Sequence, residues 1–266
     1  MLTSEDLCVT MPTMKQKSNI NLKSDALRKY VIISISFLTL LLLVLAVCSC
    51  MLLFNLYKRT PTASEIYSRS ISGIVEVKAT TEGVGESFGT AEFVKNDGTL
   101  VTNAHVVTYT KLGSTYEFES VFIRFATDDD YIEVSLIKYD KDLDIAVLRM
   151  NKDRHEFSSL KPGDSTKICS GDKAYAIGNS ANYGLSMAEG LIGAPLINIV
   201  YGDQTRNVIQ ANINITDGNS GGALLDKDGR LIGITTFRTK DLGGNVIYGI
   251  AYCVPINAVL QYINFN

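Results

Sequence analysis

From Val31 to Phe54 the chain carries no charged residue, and Leu, Ile and Val dominate. A helix over that block rises about 36 Å, enough to cross a hydrocarbon core of about 30 Å with some tilt. Tyr30 and Tyr57 flank it, where residues of a membrane interface are expected. A cleaved signal peptide is the competing reading, but the run is too long and no small-x-small site closes it. The block therefore predicts one N-terminal transmembrane helix over 31–54, an uncleaved anchor in contact with membrane lipid. Lys15, Lys17, Lys23, Arg28 and Lys29 precede it, whereas Lys58, Arg59 and the more distant Arg69 follow. The richer side stays in the cytoplasm. Residues 1–30 are thus expected to be a cytoplasmic tail, polar and disordered up to Lys29. Everything after Tyr57 is expected outside a cell membrane crossed once.

The remainder has to fold without that block. A linker over 55–65 contains Pro61, and Ser64 reads as the N-cap of a brief helix through Ser70. From Gly73 onward the chain turns to about a dozen short β-rich segments, punctuated by Gly, Asp and Asn. Asn96-Asp97-Gly98, Asp226-Lys227-Asp228-Gly229 and Leu242-Gly243-Gly244-Asn245 are hairpin or loop signals. No βαβ rhythm appears, so the fold class is all-β, a barrel or a sandwich, with Val259–Ile263 as a closing helical turn. The formal net charge of −3 leaves no footprint for nucleic acid. Five cysteines make no framework: of these, only Cys169 and Cys253 follow residue 66. Both read as buried thiols, with a single disulfide between them left open.

Chemistry concentrates in Thr216-Asp217-Gly218-Asn219-Ser220-Gly221-Gly222-Ala223-Leu224-Leu225. Glycines on both sides of Ser220 allow a backbone with positive φ and close approach to a substrate. A serine nucleophile needs an accessible Oγ and N–H donors placed where an oxyanion develops. It also needs a base. The chain has two histidines, and His155 sits in a charged stretch that reads as a solvated loop, so His105 has no rival. An acid must orient that base. Asp140, Asp142 and Asp144 compete, and Asp144 abuts the apolar strand Ile145-Ala146-Val147-Leu148. Asp128-Asp129-Asp130 is a solvated turn rather than a metal site, because three carboxylates in a row cannot all face one ion.

The order His105, Asp144, Ser220 is that of chymotrypsin-like proteases. With TNAHVV around His105, DLDIAVL around Asp144, AIGNS over 176–180 and GNSGGAL around Ser220, the chain resembles trypsin-like serine proteases of the HtrA/DegP type. That resemblance, covering Gly89 to Pro255, implies two six-stranded antiparallel β-barrels with the site in the cleft between them. It implies a protease domain over 66–266 that stops too soon for a PDZ domain. His105 is then the general base, Asp144 its orienting acid and Ser220 the nucleophile. The N–H groups of Gly218 and Ser220 form the oxyanion hole, and neither cofactor nor metal is required. Substrates are proteins or peptides, misfolded or specific extracytoplasmic ones, and a homo-oligomer is left open. In chymotrypsin-like proteases the pocket base lies six residues before the serine, which is Asn214. Its walls are expected from Thr235, Thr236 and Phe237 and from Ala251, giving cleavage after small or medium uncharged residues. Asp217 departs from the proline usual there, and Ala91 and Glu92 replace a usual glycine and phenylalanine. A catalytically silent barrel that binds peptides or a membrane partner is the alternative.

Overall fold

Apolar residues from Ile74 onward are buried on both faces of several strands, which a single-layer sheet with one wet face does not produce. The reason lies in the closure of the sheets. A computed structural model describes residues 14–56, 60–151, 156–201, 204–240 and 246–264, in two units, Met1–Arg59 and Thr60–Asn266.

The first unit is a helix, α1 (Met14–Leu56). Its segment Asp25–Phe54 is long and apolar enough to cross a membrane, and none of it is buried. The helix starts well before the apolar block, so the tail expected to be disordered is helical from Met14. Propagating a helix costs far less than nucleating one, and the apolar block supplies the nucleus. Tyr57, Lys58 and Arg59 lie outside the described residues, as do His155 and residues 242–245.

The second unit opens with α2 (Ala63–Ser70). Thr62 rather than Ser64 is its N-cap: Glu65 N donates to Thr62 Oγ1 at 3.3 Å, and Thr62 N donates to Glu65 Oε2 at 2.8 Å. Only Thr62 has a glutamate three residues on, which the reciprocal capping box requires. Strands β1 (Ile74–Thr81), β2 (Gly85–Phe93), β3 (Thr99–Thr102), β6 (Ser120–Phe125), β7 (Ile132–Asp140) and β8 (Ile145–Arg149) close a six-stranded antiparallel barrel. A second closed barrel comprises β9 (Lys173–Asn179), β10 (Leu185–Tyr201), β11 (Gln204–Asn212), β12 (Ala223–Asp226), β13 (Leu231–Lys240) and β14 (Val246–Pro255). The helix α4 (Ile256–Asn264) follows it. Between the histidine turn, α3 (Ala104–Val107), and β6 lies a hairpin of β4 (Thr108–Lys111) and β5 (Ser114–Glu117). Its tip is Leu112-Gly113, both at positive φ, a conformation that Leu rarely signals in a sequence.

Three apolar clusters explain the two-sided burial. Val75, Val77, Leu100, Ala146 and Leu148 fill the first barrel. Ile209, Ala211, Ile213 and Leu224 fill the second. The intervening residues Ile74, Val101 and Ile145 instead join Ile177, Ala223, Ile234 and Val254 in a third cluster between the barrels. Burying one such Ile or Leu stabilises by about 1.5–3 kcal/mol, so the cleft is held by a packed seam and not by a flexible joint. Cys169 is exposed and Cys253 buried, both as free thiols. Strand β14 carries Cys253 inward, while Cys169 falls outside the strands, which corrects the expectation of two buried thiols.

Candidate active site

His105 sits on the single turn α3, next to Asn103, at the end of β3. Asp144 precedes β8, the strand that pairs with β3. That pairing brings the two residues together: His105 Nδ1 lies 2.9 Å from Asp144 Oδ2 and 3.1 Å from Oδ1. The His105 backbone N–H also donates to Oδ1, at 3.1 Å. Asp144 has φ of 59°, a left-handed conformation that Asp tolerates better than most residues. Its carbonyl accepts from Asn103 Nδ2 at 2.8 Å, which fixes this backbone. The Thr236 hydroxyl donates to Asp144 Oδ2, and Arg206 Nη1 stands 3.7 Å from the same oxygen. Asp140 and Asp142 are placed otherwise: Asp140 Oδ1 accepts from the N–H groups of Asp142 and Leu143 and so caps the turn leading to Asp144.

Ser220 reaches the same place from the second barrel. The Ser220 carbonyl accepts from Thr90 N at 2.9 Å, and Gly221 N donates to Thr235 O at 2.8 Å. Gly221, at φ +80, has no room for a Cβ, which would lie 2.2 Å from Thr90 O. Thr90 ties the barrels together a second time: its hydroxyl donates to Gly218 O at 2.8 Å and accepts from Asn179 N at 2.9 Å. The asparagine of the AIGNS box thus braces the serine turn. Ser220 Oγ donates to Thr236 O at 3.2 Å rather than to His105. Both side chains nonetheless line one cavity of about 350 Å³.

Gly218, at φ +89, would place a Cβ 2.0 Å from Asn179 O, so only glycine fits. The Asp217 carbonyl accepts from Ala181 N at 2.7 Å, which sets the orientation of the peptide joining Asp217 to Gly218. Neither the Gly218 nor the Ser220 N–H donates a hydrogen bond among the described residues. Two spare donors, the serine's own N–H and that of the glycine two residues before it, are what an oxyanion site requires.

The expected pocket residues separate. Thr236 and Phe237 line the cavity beside Ser220, together with Ile215, Thr216, Asp217, Arg238 and Val246. Asn214, Thr235 and Ala251 are not among its lining residues. Asn214 is exposed, Thr235 is 2% exposed, and Ala251 packs inside the second barrel. In the segment that follows β11, Ile213 and Ile215 are buried and Asn214 between them faces out. A register shift between Thr235 and Phe237 against β14 then brings Arg238 opposite Ala251. Asn103, Thr90, Arg206 and Arg238 were not legible as site residues. Asn103 lies within the TNAHVV box, which was its available signal, whereas Thr90 and the two arginines carry none.

Glu92 finds its place here as well. It pairs with Ile74 on one side and Val101 on the other, both members of the seam between the barrels. Paired residues share a face, so its carboxyl enters that seam, fully buried. Neither carboxyl oxygen has a hydrogen-bond partner among the described residues, and the same holds for Asn103 Oδ1. Burial pushes the Glu92 carboxyl well above the usual range.

A profile for the trypsin-like peptidase domain matches residues 89–234. Over 180 residues the chain is 34% identical to a probable periplasmic serine endoprotease, DegP-like, of Bartonella henselae, covering 66% of this chain and 33% of that protein. It is 29% identical to the serine endoprotease DegS of Haemophilus influenzae, covering 77% and 58%. Among solved structures, the HtrA-type protease AlgW with a tripeptide superposes with a TM-score of 0.66 at 29% identity, covering 76% of this chain and 62% of that one. The chain thus spans a third to somewhat under two thirds of the length of these relatives. With the profile spanning the histidine, aspartate and serine turns, and with the paired barrels that present them, the chain belongs to the trypsin-like peptidases of the HtrA/DegP type.

Proposed function

We propose that this protein is a membrane-anchored serine endopeptidase whose reaction is carried by His105, Asp144 and Ser220. The observation that carries the reading is the bidentate approach of Asp144 to His105 Nδ1, 2.9 and 3.1 Å, in a cavity shared with Ser220. Asp144 holds the imidazole with Nδ1 protonated, which leaves Nε2 as the base. Rotation of Ser220 about χ1 releases the Thr236 carbonyl and turns Oγ toward Nε2. The imidazole takes the Oγ proton as Oγ bonds to the scissile carbonyl carbon, and the oxyanion is met by the Gly218 and Ser220 N–H groups. Collapse breaks the C–N bond, and the imidazolium gives its proton to the leaving amine. Water, deprotonated by the same imidazole, then attacks the acyl-enzyme; the acid product leaves and Ser220 regains its proton. Losing one oxyanion donor costs about 2.7–4 kcal/mol of barrier.

The layout that fits this reading is a cytoplasmic tail over 1–30, a transmembrane helix over 31–54, a linker over 55–65 and the protease domain over 66–266, outside the cytoplasm. Periplasmic naming of relatives supports the compartment, and a peptide-bound relative supports peptide substrates. The serine hydroxyl bound to Thr236 favours the rival reading of a silent, peptide-binding barrel. A fluorophosphonate probe decides, because only an assembled triad labels rapidly. Labelling of the wild type, and its loss with proteolysis in Ser220→Ala at unchanged fold, is expected; an unlabelled wild type refutes the endopeptidase.

A further inference from the structure

Two charged residues at the cavity come from different turns. Asp217 directly precedes Gly218, and Arg238 follows Phe237 on β13; the Arg238 guanidinium donates to the Asp217 carboxylate in an ion pair. Both line the cavity that holds Ser220 and His105, so the pair is a strap beside the serine. Its halves are unequal. The Arg238 side chain is 16% exposed and that of Asp217 is 91% exposed. The guanidinium is therefore fixed by its surroundings and needs an anionic partner, because a charge withdrawn from water without one is costly. Asp217 is almost fully solvated already, so releasing it costs little.

The other charges at the cavity do not compete. Asp144 is buried and committed to His105, Thr236 and Arg206. Arg206 in turn donates to Lys141 O at 2.8 Å. Arg238 is thus the cation whose partner a ligand can replace. We propose that Arg238 is a specificity determinant, and that the pocket beside Ser220 takes a Glu or Asp side chain of the substrate, on the residue carrying the scissile carbonyl, in place of Asp217. The inference rests on the endopeptidase reading above. A substrate carboxylate keeps the guanidinium paired and can meet it in the planar, two-pronged geometry that Arg favours. A neutral side chain either leaves the strap in place or leaves Arg238 unpaired, and a Lys or Arg side chain meets a like charge. This replaces the uncharged specificity expected from Asn214 and Ala251, which are not among the residues lining the cavity.

The test uses the full chain in detergent micelles, with fluorophosphonate labelling run beside peptide cleavage. A peptide library finds the preferred bond, and matched peptides then differ only in Glu, Gln or Lys at the residue before it. The expected result is kcat/KM for Glu about tenfold or more above Gln, as a charge-assisted hydrogen bond allows, and Lys poorest. Arg238→Gln should bring the Glu-to-Gln ratio to about one, Arg238→Lys should retain part of it, and Asp217→Asn should raise cleavage of the Glu peptide by removing its competitor. High salt should narrow the wild-type ratio. Labelling with no preference for Glu, or a preference untouched by Arg238→Gln, overturns the inference and leaves the endopeptidase standing. Absence of both labelling and cleavage overturns both.

Discussion

Replacing Glu92 by Gln should flatten the loss of stability that the native chain suffers as pH rises. The carboxyl is fully buried in the seam between the barrels, and no described residue donates to it. Burial raises its pKa well above the ordinary value, so the folded protein holds the proton where the unfolded chain has given it up. The sign follows from linkage: stability is fully present below the unfolded carboxyl's pKa of about 4.3, falls above it, and is lost as pH rises through the folded value. Across that window a single proton costs about 1.4 kcal/mol per pH unit. Glu92→Gln keeps the shape without a titrating group. Urea midpoints of the detergent-solubilised chain, taken at unit steps from pH 5 to 8, measure the difference. The wild-type curve should fall relative to the variant by about 1.4 kcal/mol per unit over the first steps and then level off as Glu92 ionises or the seam opens. Parallel curves would mean that Glu92 is ionised in the native state and that the seam admits a partner or water.

Two further expectations follow from the site and the helix. Thr236→Val removes the hydroxyl bound to Asp144; kcat/KM should fall roughly ten- to hundredfold, as expected for a hydrogen bond to a charged group of about 1.5–3 kcal/mol, while the fold survives; unchanged peptide kinetics would remove Thr236 from the machinery. Protease added to intact spheroplasts should digest the chain beyond Tyr57 and spare a tag placed before Tyr30, and a protected C-terminal domain would reverse the topology.

The sequence by itself determined the features that rest on local chemistry. The uncharged run over 31–54 can only be satisfied by a helix in lipid or deep burial, and α1 covers it. Short β segments ended by Gly, Asp and Asn gave most strands within a few residues, because turn chemistry is local. Three of the four boxes carry the candidates His105, Asp144 and Ser220, each at or beside the end of a strand where local turn chemistry is readable, and the structure brings the three to one cavity. Tertiary structure alone decided what depends on register and on contacts across the two barrels. Asn214, expected at a pocket base from its spacing to the serine, lies just beyond the end of β11, exposed and away from the residues lining the cavity; spacing along the chain does not report which way such a residue faces. Thr236 read as a pocket wall, yet its hydroxyl binds Asp144 from 92 residues away. Arg238 and Asp217, 21 residues apart in sequence, meet only because the serine turn and β13 are folded against each other. In sequence Glu92 is only a departure from a usual phenylalanine, with nothing to show what surrounds it. Only closure of the second barrel over the first removes its water, and that burial is what raises the pKa of its carboxyl.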